Sequence, residues 1–217
     1  MSHSAYIFLH VVLFGLWFGA HAAILMILRE LKQAGDVGRQ QRILVLMQTL
    51  ERIPRSAFVL MLPLGLQLAE TRGLFEIAGM GVVGAWIVAL VWLVLIWAQP
   101  RASKSDMAVG LRTTQRVFMV VVAVIMAGAG ILSLLSGAPV GASWLAAKFL
   151  LYALAIMAVF GLEMSTQEPL YTAFQQRGSG DLDAAVRTAL PRATLAGLAL
   201  FAALLGAAYI GVVQPAF

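Results

Sequence analysis

The chain has no cysteine, few charged residues and only three histidines. The lack of cysteine excludes disulfides, iron–sulfur clusters, thiolate-ligated haem and the covalent CxxCH attachment of haem. Charged residues make up 12% of the 217 positions, about half of the roughly 25% that is usual in soluble domains. Together with 61% hydrophobic residues, this shortage of charge excludes a soluble or disordered protein and indicates an integral membrane protein.

The excess of positive charge does not indicate a nucleic-acid partner. The formal net charge is +5, but the Lys and Arg residues stand in short segments between apolar runs. In that position they serve to orient membrane helices. The partner expected from composition is therefore the lipid bilayer, and no nucleic acid is expected.

Six apolar segments are candidates for membrane spans, because a span needs about 20 mostly apolar residues. The second is short and contains Pro63, and an extension back through residues 43–50 would kink at Pro54. The first has no basic residue before it, so we expect a retained span and not a cleaved signal peptide. We predict an all-α, polytopic membrane helical bundle of about six transmembrane helices, a single domain over residues 1–217, with spans at about 4–28, 56–70, 77–98, 116–136, 142–164 and 192–213.

The distribution of Lys and Arg predicts the orientation, because cytoplasmic loops hold the excess. Three alternate loops carry nearly all of these residues, whereas the opposite side has only Arg72 and no Lys or Arg at either terminus. We therefore expect both termini outside, in a multi-pass protein of the bacterial inner (cytoplasmic) membrane. The basic loop residues are Arg29, Lys32, Arg39, Arg42, Arg52, Arg55, Arg101, Lys104, Arg112, Arg116, Arg177, Arg187 and Arg192.

Four ionisable residues fall within or at the edge of the predicted spans: His10, His21, Lys148 and Glu163. Such residues are costly at membrane depth unless they are paired, ligated or facing water. Each is therefore a candidate functional residue.

Helix geometry predicts how these residues are layered. His10 and His21 are separated by about three turns and so share one face, but they lie about 16 Å apart along the axis. They cannot bind one small ion together. Lys148 lies as far into the fifth span as His10 lies into the first, and both spans run in the same direction. We expect His10 and Lys148 to share one layer, with His21 in a second.

Three interpretations of the His–Lys pair stay open at this point. One is a haem with His10 as axial ligand and the other position held by Lys148, held by Met126 or left open. Another is copper, which imidazole and thioether ligands suit. The third is a buried His bonded to a backbone carbonyl, with a Lys that extends to the interface. A two-haem cytochrome b is excluded, because it needs four membrane histidines.

Several motifs, in their order along the chain, resemble those of a known membrane family. The family joins bacterial copper-resistance protein D and the HemJ-type protoporphyrinogen oxidase. The matching segments cover about half of the chain in patches. They are Leu9-His10-Val11 followed by Trp17 and Phe18-Gly19-Ala20, then residues 47–52 leading into Arg55 and Pro63, then Trp144 and Lys148 in residues 141–151, and finally the tail 212–217.

The resemblance implies a haem b site that uses His10, with Lys148 nearby. Trp17 and Trp144 belong to the same motifs and complete the candidate cofactor-binding residues, while His21 is a candidate metal ligand in the second layer. The expected function is electron transfer or porphyrin oxidation, with a redox partner or a second copy of the chain. If the protein is an enzyme, it is a membrane oxidoreductase. The alternatives are copper transport or resistance and a non-catalytic subunit of a membrane redox complex.

Overall fold

The computed structural model describes residues 2–34, 36–74, 80–98, 106–175 and 179–215, which are helical apart from short connections. The predicted start of the third span at Ile77 and the loop residues Arg101, Lys104 and Arg177 lie outside the described residues. The helices are α1 (His3–Gln33), α2 (Val37–Leu50), α3 (Arg52–Glu70), α4 (Met80–Ala98), α5 (Asp106–Ser136), α6 (Ser143–Gln175) and α7 (Ser179–Val213).

Five of these helices are long and apolar enough to cross a membrane: α1, α4, α5, α6 and α7. The predicted all-α membrane bundle is therefore confirmed. The predicted short second span corresponds to α3, which is not among the five. Its 19 residues include Arg52, Arg55 and Glu70, which lower its mean hydropathy. Even so, α3 is a core helix that packs against α1 and α4.

Most helices extend beyond the predicted apolar segments. For example, α5 begins at Asp106, ten residues before the predicted span at 116, and α1 continues to Gln33. The hydropathy pattern marks the apolar part of a helix, whereas backbone hydrogen bonding continues into polar turns. The region predicted as the first basic loop also contains α2, whose N-cap Asp36 accepts a hydrogen bond of 2.8 Å from the Arg39 N–H.

The junction of α2 and α3 has a local cause in the sequence. Glu51 has a helical backbone (φ −56°, ψ −24°), and its N–H still bonds to the Met47 carbonyl. Pro54 lacks the N–H that would bond to the Leu50 carbonyl, so the regular hydrogen-bond ladder is interrupted here. The structure has two helices here that meet at Glu51, with Pro54 in the first turn of α3, and a single span extended back through residues 43–50 stays a prediction.

Aromatic rings join four helices in the middle of the bundle. The Phe58 ring of α3 lies 5.0 Å from Trp17 of α1, 5.4 Å from Tyr152 of α6 and 5.2 Å from Trp92 of α4, measured between centroids. The Tyr152 hydroxyl also donates to the Phe58 carbonyl at 2.9 Å. These contacts fix the register of α1, α3, α4 and α6 at this level.

The helix directions define two ends of the bundle. One end of the bundle holds the starts of α1 and α6 and the C-terminal ends of α3 and α7, and residues from these four segments surround one cavity. We call this end the upper end. The lower end is the opposite one. Along the interface of α5 and α6, a Cβ atom on Gly130 would lie 2.9 Å from the Ala146 carbonyl oxygen, so only glycine allows this close approach.

Candidate cofactor site

The candidate site is a cavity of about 370 Å³ at the upper end, between α1, α3, α6 and α7. Its volume lies within the range of about 300–1,000 Å³ that is usual for small-molecule sites. The wall is mostly apolar, which is the ordinary character of a cofactor site. Its polar or aromatic members are His10, Phe14, Trp17, Arg72, Trp144, Lys148, Phe149, Tyr152 and Gln214.

His10 reaches the cavity from the first third of α1. Its ring packs toward α3 at Gly65, where an added Cβ atom would lie 3.4 Å from the His10 Cε1 atom. Its Nδ1 atom is buried and has no hydrogen-bond partner in the described part of the chain. A buried ring nitrogen without a partner is costly, and a bound group that contacts the imidazole would reduce that cost.

Lys148 lies on the wall of the same cavity as His10, within electrostatic range of the imidazole. Its side chain extends toward α7, and a Cβ atom on Gly211 would lie 2.7 Å from Nζ. Glycine at this position therefore leaves room for the ammonium group. Among the described residues, no carboxylate forms an ion pair with Lys148.

Both candidate tryptophans also line the cavity. Trp17 is fully buried, and its Nε1–H has no hydrogen-bond partner among the residues that the structure describes. Trp144 is half-buried, one helical turn before Lys148. Together they supply flat apolar surface, and Trp17 keeps one N–H donor unused.

His21 lies apart from the cavity, in a second layer. It is buried, and its Nδ1–H donates to the Trp17 carbonyl at 3.0 Å. In the described ranges, no group of three or more His, Cys, Asp or Glu side chains is arranged to hold a metal ion. The hydrogen bond from His21 to the Trp17 carbonyl is the contact expected for a buried histidine bonded to the backbone. A ligand role for His21 stays a prediction.

Arg72 is the main site residue that sequence reasoning missed. The sequence places Arg72 in a predicted loop, yet its side chain lines the cavity. Its Nε–H donates to His3 Nε2 at 3.3 Å, and the other ring nitrogen of His3 lies 3.0 Å from the Thr71 hydroxyl. Because Nε2 accepts a hydrogen bond, the His3 Nδ1–H is the donor to Thr71. These two hydrogen bonds join the start of α1 to the end of α3. Arg72 is thus a second cationic side chain at the cavity, in addition to Lys148.

A separate charged group occupies the lower end. Glu163 of α6 is 2% exposed, and one of its oxygens lies 3.6 Å from the Arg55 guanidinium of α3. The same guanidinium lies 3.4 Å from Glu51. The sequence indicates Glu163 as a candidate residue, whereas it places Arg55 in a predicted basic loop. Only the packing of α3 against its neighbours takes this arginine into the bundle.

Comparison with protein-family models, curated proteins and solved structures finds no match for this chain. An imidazole, two cationic side chains and an apolar wall suit a flat apolar ligand that carries a metal ion and carboxylates. Haem b is such a ligand.

Proposed function

We propose that the chain binds one haem b non-covalently in the upper cavity and serves electron transfer or porphyrin oxidation in the bacterial cytoplasmic membrane. The observation that carries the proposal is that His10 and Lys148 share the wall of one largely apolar cavity. The predicted orientation would place this cavity toward the outside of the membrane.

The residues of the cavity suit distinct parts of such a ligand. His10 would be the axial ligand, since neutral imidazole is a common iron ligand. Lys148 and Arg72 would attract the propionate carboxylates, as charge-assisted contacts are the stronger ones in apolar surroundings. Trp17 and Trp144 would pack against the macrocycle. The bound haem would supply one-electron chemistry, while the protein would orient it and exclude water with the apolar cavity wall.

Absorption spectroscopy tests the proposal directly. Protein purified in detergent from haem-replete cells should show a Soret band, and His10→Ala should abolish it. His10→Gly should regain the band when free imidazole is added, which separates a lost ligand from a lost fold. His21→Ala is the matched control, because it removes a buried histidine of the same helix that lies outside the cavity, and the band should persist. Colourless wild-type protein would overturn the proposal.

Copper handling is the second candidate function, and one observation favours it. Met61 and Met126 line the cavity together with His10. Thioether and imidazole ligands suit copper, although methionine is also a common apolar filler. Elemental analysis should then find stoichiometric copper that is lost in both His10→Ala and Met126→Leu. A wild-type protein without copper removes this candidate.

An electron-transfer role also requires a redox partner, which could be a second copy of the chain or a larger membrane complex. Native mass measurement on protein extracted from its own membrane would separate these cases. A stable complex with other subunits would favour a role as a non-catalytic subunit.

A further inference from the structure

The helices α1 and α7 pack closely against each other below the upper cavity. The rings of Phe18 and Phe201 are 4.8 Å apart between centroids, and a Cβ atom on Gly197 would lie 2.6 Å from a side-chain carbon of α1. The cavity wall begins just above this ring contact, at Trp17 on α1 and Ala203 on α7. The contact between the two rings therefore closes the lower side of the space between the helices.

The cavity is open at the surface between the upper halves of these two helices. Val11 of α1 and Val212 of α7 line the cavity, yet they are 60% and 84% exposed. They stand above Phe18 and Phe201 by about 10 and 16 Å at the rise of an α-helix. Residues that line a cavity and are also exposed border its opening. The α7 side of the wall leaves room because its residues are small, and these are Ala207, Ala208 and Gly211.

The surface around this opening is apolar. Both α1 and α7 are long and apolar enough to cross a membrane. Phe8 and Tyr209, one helical turn from Val11 and Val212, are 66% and 65% exposed. At membrane depth, such a surface contacts lipid and not water. A molecule that enters between α1 and α7 therefore comes from the bilayer, and it has to be apolar or amphipathic.

Two cationic side chains give this space a polar end. Lys148 and Arg72 line the cavity and lie within electrostatic range of each other. Among the residues that the structure describes, neither forms an ion pair with a carboxylate. Like charges in apolar surroundings repel each other, and an anion between them would offset that repulsion. The cavity therefore suits a ligand that carries an anionic group.

The polar and apolar parts of the cavity follow the order found in a lipid leaflet. Arg72 lies two residues beyond the end of α3 at Glu70, and Lys148 lies in the second turn of α6. The deeper wall includes Ala155, two turns further along α6, and Trp17 of α1. An amphiphile in a bilayer also holds its charged group near the interface and its apolar part deeper. Such a molecule could enter the cavity sideways without turning over.

We propose that the upper cavity takes up an anionic amphiphile sideways from the bilayer, through the opening between the upper halves of α1 and α7. The anionic group lies between Lys148 and Arg72, and the apolar part packs on the wall below them. No bond forms or breaks in this step. In the part that rests on the proposed function, haem b with its propionate carboxylates is a ligand of this class, and the route leads to His10.

Electron paramagnetic resonance of a spin-labelled fatty acid tests the ligand class without any haem. Full-length, haem-free protein in phosphatidylcholine liposomes receives doxyl-stearic acid or its methyl ester, which has the same chain but no charge. We expect a larger motionally restricted fraction for the acid. Lys148→Ala should weaken the association of the acid about tenfold, as one charge-assisted contact is lost, and should leave the ester unchanged. Arg39→Ala is the control, because Arg39 is an exposed cation outside the cavity, and it should change neither.

The rate of uptake tests the opening. Trp17 and Trp144 line the cavity, so the doxyl group quenches their fluorescence when the acid enters. Val11→Phe places a larger side chain at the opening and should slow the quenching. Leu16→Phe is the matched control, since Leu16 is an exposed residue of the same helix that does not line the cavity. Both substitutions lie on the exposed surface, so neither disturbs the core.

The outcomes that contradict the proposal are distinct from those that contradict haem binding. Equal restricted fractions for the acid and the ester in the wild type, or an unchanged association of the acid in Lys148→Ala, would overturn the ligand class. Equal quenching rates in Val11→Phe and Leu16→Phe would overturn the lateral route. The protein is free of haem throughout, so these results hold with or without a Soret band. Haem binding without a preference for the acid would remove this proposal and leave the proposed function in place.

Discussion

Replacing Gly130 by alanine tests the closest helix contact in the bundle. A Cβ atom at this position would lie 2.9 Å from the Ala146 carbonyl oxygen and 2.9 Å from two carbon atoms of Leu150. Packed carbon atoms stay about 3.5–4.0 Å apart. Leu150 could rotate away, but the carbonyl oxygen belongs to the backbone of α6. The whole of α5 would therefore have to move outward.

Gly128 provides a matched control on the same helix. A Cβ atom there would meet no heavy atom within 4 Å. Alanine at either position gains about 0.5–1 kcal/mol over glycine in a helix interior. Overpacking at Gly130 costs about 1–3 kcal/mol. Since the gain applies to both variants, Gly130→Ala should be less stable than Gly128→Ala by about 1–3 kcal/mol.

The assay is unfolding by sodium dodecyl sulfate in mixed micelles, followed by far-ultraviolet circular dichroism. Gly128→Ala should unfold at the wild-type detergent fraction or a higher one, and Gly130→Ala at a lower one. Equal midpoints for the two variants would refute the reasoning, because they would show that α5 and α6 do not approach closely at Gly130.

Two further perturbations separate binding from stability. Gly211→Ala places a Cβ atom 2.7 Å from the Nζ atom of Lys148, which is the end of a flexible side chain, so unfolding should change little while haem retention during gel filtration falls. Wild-type retention would contradict a role for the Lys148 position. Arg55→Ala leaves Glu163 buried without its ion pair and should cost about 3–5 kcal/mol, whereas Arg39→Ala removes an exposed pair worth about 0–1 kcal/mol. Similar unfolding midpoints for these two variants would argue against a buried charge at Glu163.

The candidate site was partly predictable from helix geometry alone. His10 and Lys148 lie at the same depth in parallel helices, and the structure places both on one cavity wall. The rise per residue along α1 also places His21 in a different layer from His10. Helix geometry could not find Arg72, because a loop residue has no predictable direction. Nor could it find the partner of Glu163, because Arg55 counts as a loop charge until the position of α3 is known.

The sequence by itself determined the helical class and the apolar segments, because hydropathy acts within one segment of chain. Tertiary structure alone decided which segments become neighbours. The cavity volume, the room beside Lys148 and the ion pair between Arg55 and Glu163 depend on distances between helices far apart in sequence. Such distances are set by the packing of whole faces, and no single segment encodes them.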